Sequence, residues 1–188
     1  MGDTKANSRN RSVLRQITAL LFSLILTVLI FVQRDALARF SYQGYLGLFL
    51  ISLLGNATVL LPVPSLAATF IAGSVLHPLA IAVVSGAGMA IGELTGYLAG
   101  YGGTAFIEAR DWALHQRLLK WMQNRGFLTI FVLAAIPNPI FDLAGVTAGM
   151  SHFPVRRFLL ASFLGKILKS LVFALAGAQS VRWLGGFL

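Results

Sequence analysis

The chain has 188 residues, 57% hydrophobic and 11% charged, with a formal charge of +9 and a mean hydropathy of +0.79. That balance excludes an ordinary water-soluble domain and marks an integral membrane protein. Basic residues flank apolar runs, as orientation in a bilayer requires, so nucleic acid is not an expected partner; with no cysteine, disulfides and thiolate metal sites are excluded too.

Residues 1–16 are polar and carry Lys5, Arg9, Arg11 and Arg15, which reads as a disordered basic cytoplasmic tail. Ile17 to Val32 is a 16-residue apolar run, just under the usual length of a spanning helix; with its loop it makes a segment 17–41. Ala36-Leu37-Ala38 also fits a signal-peptidase site, but Arg34 and Asp35 intrude before it, so a retained helix is the reading adopted.

Tyr42 to Leu61 is apolar, weakened by Gly55 and Asn56, and leads into Pro62-Val63-Pro64-Ser65 and a short piece, Leu66 to Leu76. Leu79 to Gly100 has the length of a span and carries Gly88, Gly92, Gly96 and Gly100 at intervals of four. Such a stripe lets another backbone approach closely. Residues 104–125 mix Trp112, Leu118 and Trp121 with Arg117, Lys120 and Arg125, the pattern of an amphipathic linker helix in the membrane interface. Phe127 to Ile136 follows, then a second break at Pro137-Asn138-Pro139, an arm from Ile140 to Met150, and a last span from Phe158 to Gly177. Residues 179–188 form a short tail.

The two proline breaks sit in matching frames. Pro62-x-Pro64 precedes Gly73 and Pro78; Pro137-x-Pro139 precedes Gly149 and Pro154, and the two spacings differ by one residue. An arm of ten or eleven residues is only about 15 Å long, half the hydrocarbon thickness, so it can enter and turn back but not cross. The expected fold is therefore all-α: a polytopic membrane protein with two inverted repeats, at about 42–100 and 127–178, each a re-entrant helical hairpin plus a transmembrane helix. With the N-terminus inside, ten basic residues fall in the cytoplasm, among them Arg156 and Arg157, and only Arg34, Arg39 and Arg182 fall outside. The positive-inside rule asks for that asymmetry.

The ionisable residues expected within the bilayer are Glu93, Asp142, Lys166 and Lys169, functional candidates because charge there is costly. Glu93 and Lys166 lie about 10 and 12 Å from the inner ends of antiparallel spans, at depths that allow pairing. That pair is either mutually neutralising or a proton-exchanging carboxyl held beside a lysine, with Lys169 left for an anionic headgroup. Asn138 can cap the second arm with Pro139 at its first position, leaving a positive helix end near the midplane; Asp142 complements that dipole or acts directly. His77 and His152 occupy similar places at the hairpin ends and read as interfacial residues. No GxSxG, no HExxH and no catalytic carboxylate pair occurs, so no enzyme, no cofactor and no metal is expected.

Gly86-Ala87-Gly88-Met89-Ala90-Ile91-Gly92-Glu93-Leu94-Thr95-Gly96-Tyr97-Leu98-Ala99-Gly100-Tyr101-Gly102-Gly103 resembles the glycine-rich segment of the DedA family and the wider VTT-domain (SNARE-associated Golgi protein) superfamily. Ile136-Pro137, Ala148-Gly149-Met150 and Pro154-x-Arg156-Arg157-Phe158 resemble that family's second hairpin. The resemblance covers about residues 42–178. It implies two opposed re-entrant hairpins and lipid translocation as flippase or scramblase, with a proton gradient used by bacterial members. Glu93, Tyr97, Pro137, Gly149, Arg156 and Arg157 match the family pattern. The sequence departs from it at Gly55 and Ser65-Leu66, where acids are usual, and at Ala135 and Ile140, where arginines are usual.

The expected function is lipid transport, moving a phospholipid or polyprenyl-phosphate headgroup between the hairpins in a prokaryotic plasma (inner) membrane. Membrane lipids are the expected partners, and a homo-oligomer is compatible with the glycine stripe. A small-solute or proton-coupled ion transporter and a non-transporting membrane scaffold are the alternatives.

Overall fold

The computed structural model describes residues 41–57, 63–103, 112–138 and 140–185. The tail, the first apolar run, Pro62 and Pro139 lie outside these residues. Every described element is a helix: α1 (Ser41–Ala57), α2 (Val63–Gly73), α3 (Pro78–Gly92), α4 (Leu94–Tyr101), α5 (Trp112–Ala135), α6 (Ile140–Met150) and α7 (Val155–Gly185).

Local chemistry sets most boundaries. Pro78 opens α3 at a position where its missing N–H is not needed. Glu93 interrupts the assignment between α3 and α4 but keeps right-handed helical angles, φ −65° and ψ −15°, so Pro78–Tyr101 is one 24-residue helix with apolar character along its length. Gly103, at φ +69°, ends it. α6 closes in a Schellman motif: His152 N–H donates to the Gly149 carbonyl and Phe153 N–H to the Ala148 carbonyl. Its left-handed residue, normally glycine, is His152 at φ +54°; the imidazole lies against Tyr101, ring centroids 4.7 Å apart.

Among the described residues two helices, Pro78–Tyr101 and Val155–Ser180, are long and apolar enough to cross a membrane. At 1.5 Å per residue they measure about 36 and 39 Å, more than the hydrocarbon core, whereas the 11-residue α2 and α6 reach about 16 Å. α3 packs on α1 and α7, α7 also takes α5 and α2, and α4 takes α6. Each short arm thus lies against the long helix of the other half.

The structure departs from the sequence reading at three places. The linker helix and the arm at Phe127–Ile136 are one helix, α5, broken only at Arg125 (φ −145°, ψ 54°), where Gly126 gives the ring of Phe153 a seat against the backbone. α7 continues to Gly185 through most of the expected tail. α2 begins at Val63, so Pro64 stands in its first turn and not in a break.

Exposure is inverted relative to a water-soluble protein. Leu160, Leu164, Leu168, Val172 and Leu175 form an exposed apolar stripe along α7, while Ser85, Glu93, Lys166, Lys169 and Ser170 are buried. Hydrocarbon outside and polar groups inside is the arrangement a bilayer imposes. Two apolar clusters flank the polar interior. Leu48, Ala68, Ile71, Ala72, Ile81 and Ala174 form one, and the other centres on Phe141, Phe158, Ile130 and Leu118.

Glycines set the helix spacing. A methyl at Gly88 would meet the Phe49 carbonyl, Ser52 Cβ and Leu53 N; one at Gly165 would meet the Phe131 carbonyl, Ala134 Cβ and Ala135 N. A methyl at Gly47, in contrast, would have no described residue within 4 Å. Gly165→Ala is expected to lower the melting temperature in detergent, by an overpacking penalty of about 1–3 kcal/mol. Gly47→Ala should raise it slightly, by about 0.5–1 kcal/mol from helix propensity alone.

Candidate functional site

The site begins with a lysine that has nowhere to reach water. Lys166, on the buried face of α7, sends Nζ to Glu93 Oε1 at 2.5 Å and to Asn56 Oδ1 at 3.0 Å. It also lies 4.4 Å from the ring centroid of Phe141, a cation–π distance. One ammonium thereby ties α7 to α1, to the α3–α4 junction and to α6. Sequence spacing puts the pair in register: Glu93 and Lys166 stand at similar depths in helices that pack together.

Asn56 extends the network. Its amide donates to the Ser52 carbonyl (3.0 Å) and to Ser65 Oγ (3.1 Å), joining α1 to α2. Beyond it, Ser52 and Ser85 hydroxyls meet at 3.0 Å and Ser85 and Thr69 at 2.6 Å. Thr69 donates its one proton to the Ser65 carbonyl at 2.7 Å. The chain of hydroxyls therefore has one sense, Ser52 to Ser85 to Thr69, because each hydroxyl has a single hydrogen.

Asp142 stands in the first turn of α6 and within electrostatic reach of Glu93, Lys166 and Lys169. Lys169 is 6% exposed, beside Lys166 on α7. Two acids and two lysines therefore lie near one another, Asp142 half-buried and the other three buried, with zero net charge when all four are ionised. Asn138 closes the adjoining helix ends as its sequence position suggests. Its Oδ1 accepts from Phe141 N–H at 3.0 Å, and its Nδ2 donates to the Leu133 and Ile136 carbonyls at 3.0 and 2.8 Å.

Other sequence candidates lie elsewhere. Arg156 and Arg157 are exposed at the start of α7, away from the buried charges; Pro137 is exposed in the connection before α6. The glycine stripe divides between two neighbours: Gly88 and Gly92 face the backbone of α1, and Gly96 and Gly100 face α6 at Val146. All four are thus used within the chain.

Sequence reading passed over Asn56 as a mere weakness in an apolar run and did not connect Ser52, Ser65, Thr69 and Ser85. A polar residue every fourth place, Ser52 with Asn56 and Ser65 with Thr69, was the available signal. It also passed over His115, buried on α5 with Nδ1 2.8 Å from Thr147 Oγ1 of α6.

Comparison with known proteins gives the family. The VTT domain family matches residues 63–179, and the chain belongs to that family. It is similar to the vacuole membrane protein KMS1 of Arabidopsis thaliana, 32% identical over 105 residues, 45% of this chain and 25% of that protein. KMS2 of the same plant is 43% identical over 61 residues, 32% of this chain and 15% of that protein. Vacuole membrane protein 1 of Homo sapiens is 43% identical over 60 residues, 31% of this chain and 15% of that protein. The matched region spans a quarter or less of these relatives. No solved structure matches the chain. Family membership and the two apolar helices make it an integral membrane protein.

Lys166→Met strands Glu93 and is expected to destabilise by roughly 3–5 kcal/mol, whereas joint replacement of Glu93 and Lys166 by leucine should recover most of that loss. Thermal unfolding of the purified variants reads both. Burial holds the His115 imidazole below the ordinary histidine value. The folded state thus favours neutral His115, and its contribution is complete above about pH 6.5 and lost as pH falls through and below that value. The wild-type melting temperature should fall more steeply on acidification from about pH 7.5 to about pH 5.5 than that of His115→Gln.

Proposed function

We propose that this protein moves a lipid headgroup across the bilayer, with the buried charge network as the polar part of its path and the acyl tails staying in the hydrocarbon. The observation that carries this reading is a set of four ionisable side chains of balanced sign where the short helices meet the long ones: Glu93, Lys166 and Lys169, all buried, and the half-buried Asp142. Such groups inside a membrane domain mark transport pathways more often than structure alone would require.

In this reading the domain is a duplication whose halves insert in opposite senses, each pairing one re-entrant hairpin with one span, and the N-terminus is cytoplasmic. Matching local contacts support it. Gly88 meets Phe49, Ser52 and Leu53 as Gly165 meets Phe131, Ala134 and Ala135. Gly73 meets Ala174 and Gly177 meets Phe70, just as Gly149 meets Tyr97 and Gly100 meets Val146. Superposing the halves by these contacts sets Lys166 against Met89, Glu93 against Ser170 and Ser85 against Ser162. The scaffold repeats and the chemistry does not. Where Ser85 has Ser52 and Thr69, Ser162 has Ala134 and Gly145 at the matching places, and Ser162 Oγ is buried with no hydrogen-bond partner among the described residues.

Interior charges that balance can exchange partners without a bare charge being left in hydrocarbon. An anionic headgroup entering from the α6 side competes with Asp142 and Glu93 for Lys169 and Lys166, and the positive N-terminal end of α6 adds to the attraction. A proton on Glu93 releases Lys166 for that exchange. The four titratable groups also favour a second reading, a proton-coupled solute or ion transporter on the same scaffold.

Fluorescent-lipid translocation in proteoliposomes tests the proposal. Wild-type protein should move lipid faster than protein-free vesicles, and Glu93→Gln and Lys169→Met should slow it at least about tenfold, the change that 1.36 kcal/mol on a barrier produces. Absence of movement above empty vesicles rejects it. Proton or solute flux in the same vesicles, without lipid movement, selects the second reading.

A further inference from the structure

Outside the charge network, the kink of α5 creates a second polar feature. Two surface hollows of about 540 and 420 Å³ meet there and share Asn124, Arg125 and Leu128. The larger is lined by Arg125, Arg157, Gln123 and Asn124, with Phe153 and Pro154 beside them. The smaller runs along the arm beyond the kink, between Trp121, Leu128, Val132 and Leu133. We infer that these adjoining hollows are a binding site for one anionic phospholipid of the cytoplasmic leaflet, its phosphate between Arg125 and Arg157 and an acyl chain along Leu128, Val132 and Leu133.

Charge and shape choose this occupant. The polar hollow offers two guanidiniums and two side-chain amides, and none of the described residues that line it is an acid. Guanidinium groups bind phosphate oxygens through paired N–H donors. A free anion would leave the apolar hollow empty, yet Trp121, Leu128 and Val132 are 51%, 48% and 42% exposed there. From Arg125 to Leu133 the helix rises about 12 Å, enough to follow much of an acyl chain into one leaflet. Trp121 beside the arginines suits the headgroup level.

The kink makes the two parts continuous. Non-helical angles at Arg125 turn the interfacial part of α5 away from its arm, and the Phe153 ring planted on Gly126 holds that turn open. Thr129 Oγ donates to the Arg125 carbonyl at 3.0 Å, satisfying backbone that the break would otherwise leave bare. Arg157 opens α7, which carries Lys166 and Lys169 nine and twelve residues farther, about 14 and 18 Å along the helix. The site therefore lies where a headgroup would wait before the buried charges. Its place in the cytoplasmic leaflet rests on the orientation given under Proposed function.

Quenching of Trp121 tests it. In full-length protein carrying Trp112→Phe and Trp183→Phe, Trp121 is the remaining tryptophan. Vesicles of phosphatidylcholine would contain a small, equal fraction of either phosphatidylglycerol or phosphatidylcholine with brominated chains. Brominated phosphatidylglycerol should quench with about tenfold higher apparent affinity, some 1.4 kcal/mol, and unbrominated phosphatidylglycerol should relieve the quenching. Arg125→Gln with Arg157→Gln should abolish the preference; Lys120→Gln, on the same helix but outside the hollow, should preserve it. Equal quenching by both lipids overturns the inference, as does failure of the competitor to relieve it. So does a preference that survives the double change, or one that falls equally with Lys120→Gln, which would mean diffuse surface charge. Occupancy and movement are read separately: selective quenching without translocation keeps this site and rejects transport, and translocation without selective quenching does the reverse.

Discussion

A buried ammonium paired with a buried carboxylate governs this structure. Lys166 and Glu93 sit in a domain whose exterior is hydrocarbon-facing, so neither can be hydrated by a small side-chain movement. Removing two charges from water costs several kcal/mol each, and attraction offsets that only when geometry is good and the remaining hydrogen-bonding capacity is used. Asn56 and the Phe141 ring supply that completion for Lys166. The result is a tie between four helices made by one side chain. Asp142 and Lys169 add one ionisable group of each sign, so the set of four is neutral overall when all are ionised.

Close helix packing makes the tie feasible. Glycine at positions 88 and 92 brings α1 against α3, placing Asn56 beside Lys166, and glycine at 100 and 149 brings α4 against α6. The small residues and the charges are thus parts of one arrangement: backbones must approach to exclude lipid from the polar interior, and that interior in turn holds helices that hydrophobic forces alone would not sort within a bilayer. Local strain is tolerated at the edges. His152 takes a left-handed backbone where glycine would be easier, and its ring gains a contact with Tyr101.

Taken as a transport path, the network has a useful asymmetry. Helix contacts match between the two halves of the chain, whereas acid and lysine occur at matching places in neither pair. Glu93 stands opposite Ser170 and Lys166 opposite Met89, and the Ser170 hydroxyl lies 3.9 Å from the Met89 sulfur. Glu93 from the first half of the chain meets Lys166 from the second, so relative movement of the halves would make or break that pair. The exposed arginine hollow at the α5 kink is a separate feature, apart from the buried charges.

Composition and patterning alone determined the membrane class, the all-helical fold, the two long spans and the short arms, because hydrocarbon thickness and the 1.5 Å helical rise turn run lengths directly into spans. Glycine spacing and the proline pairs gave the expectation of a repeat, and inner-end depths sufficed to match Glu93 with Lys166. Which neighbour each glycine would meet was not legible, since a GxxxG stripe specifies close approach and not the helix that approaches; one stripe serves both α1 and α6. Asn56, Ser52, Ser65, Thr69 and Ser85 are unremarkable singly and form a network only when three helices converge. The Arg125 kink depends on Phe153, distant in sequence, resting on Gly126. One-dimensional order thus fixed what each segment could cross, while tertiary packing decided which polar groups would meet, because a side chain in hydrocarbon finds its partners across helices and not along its own.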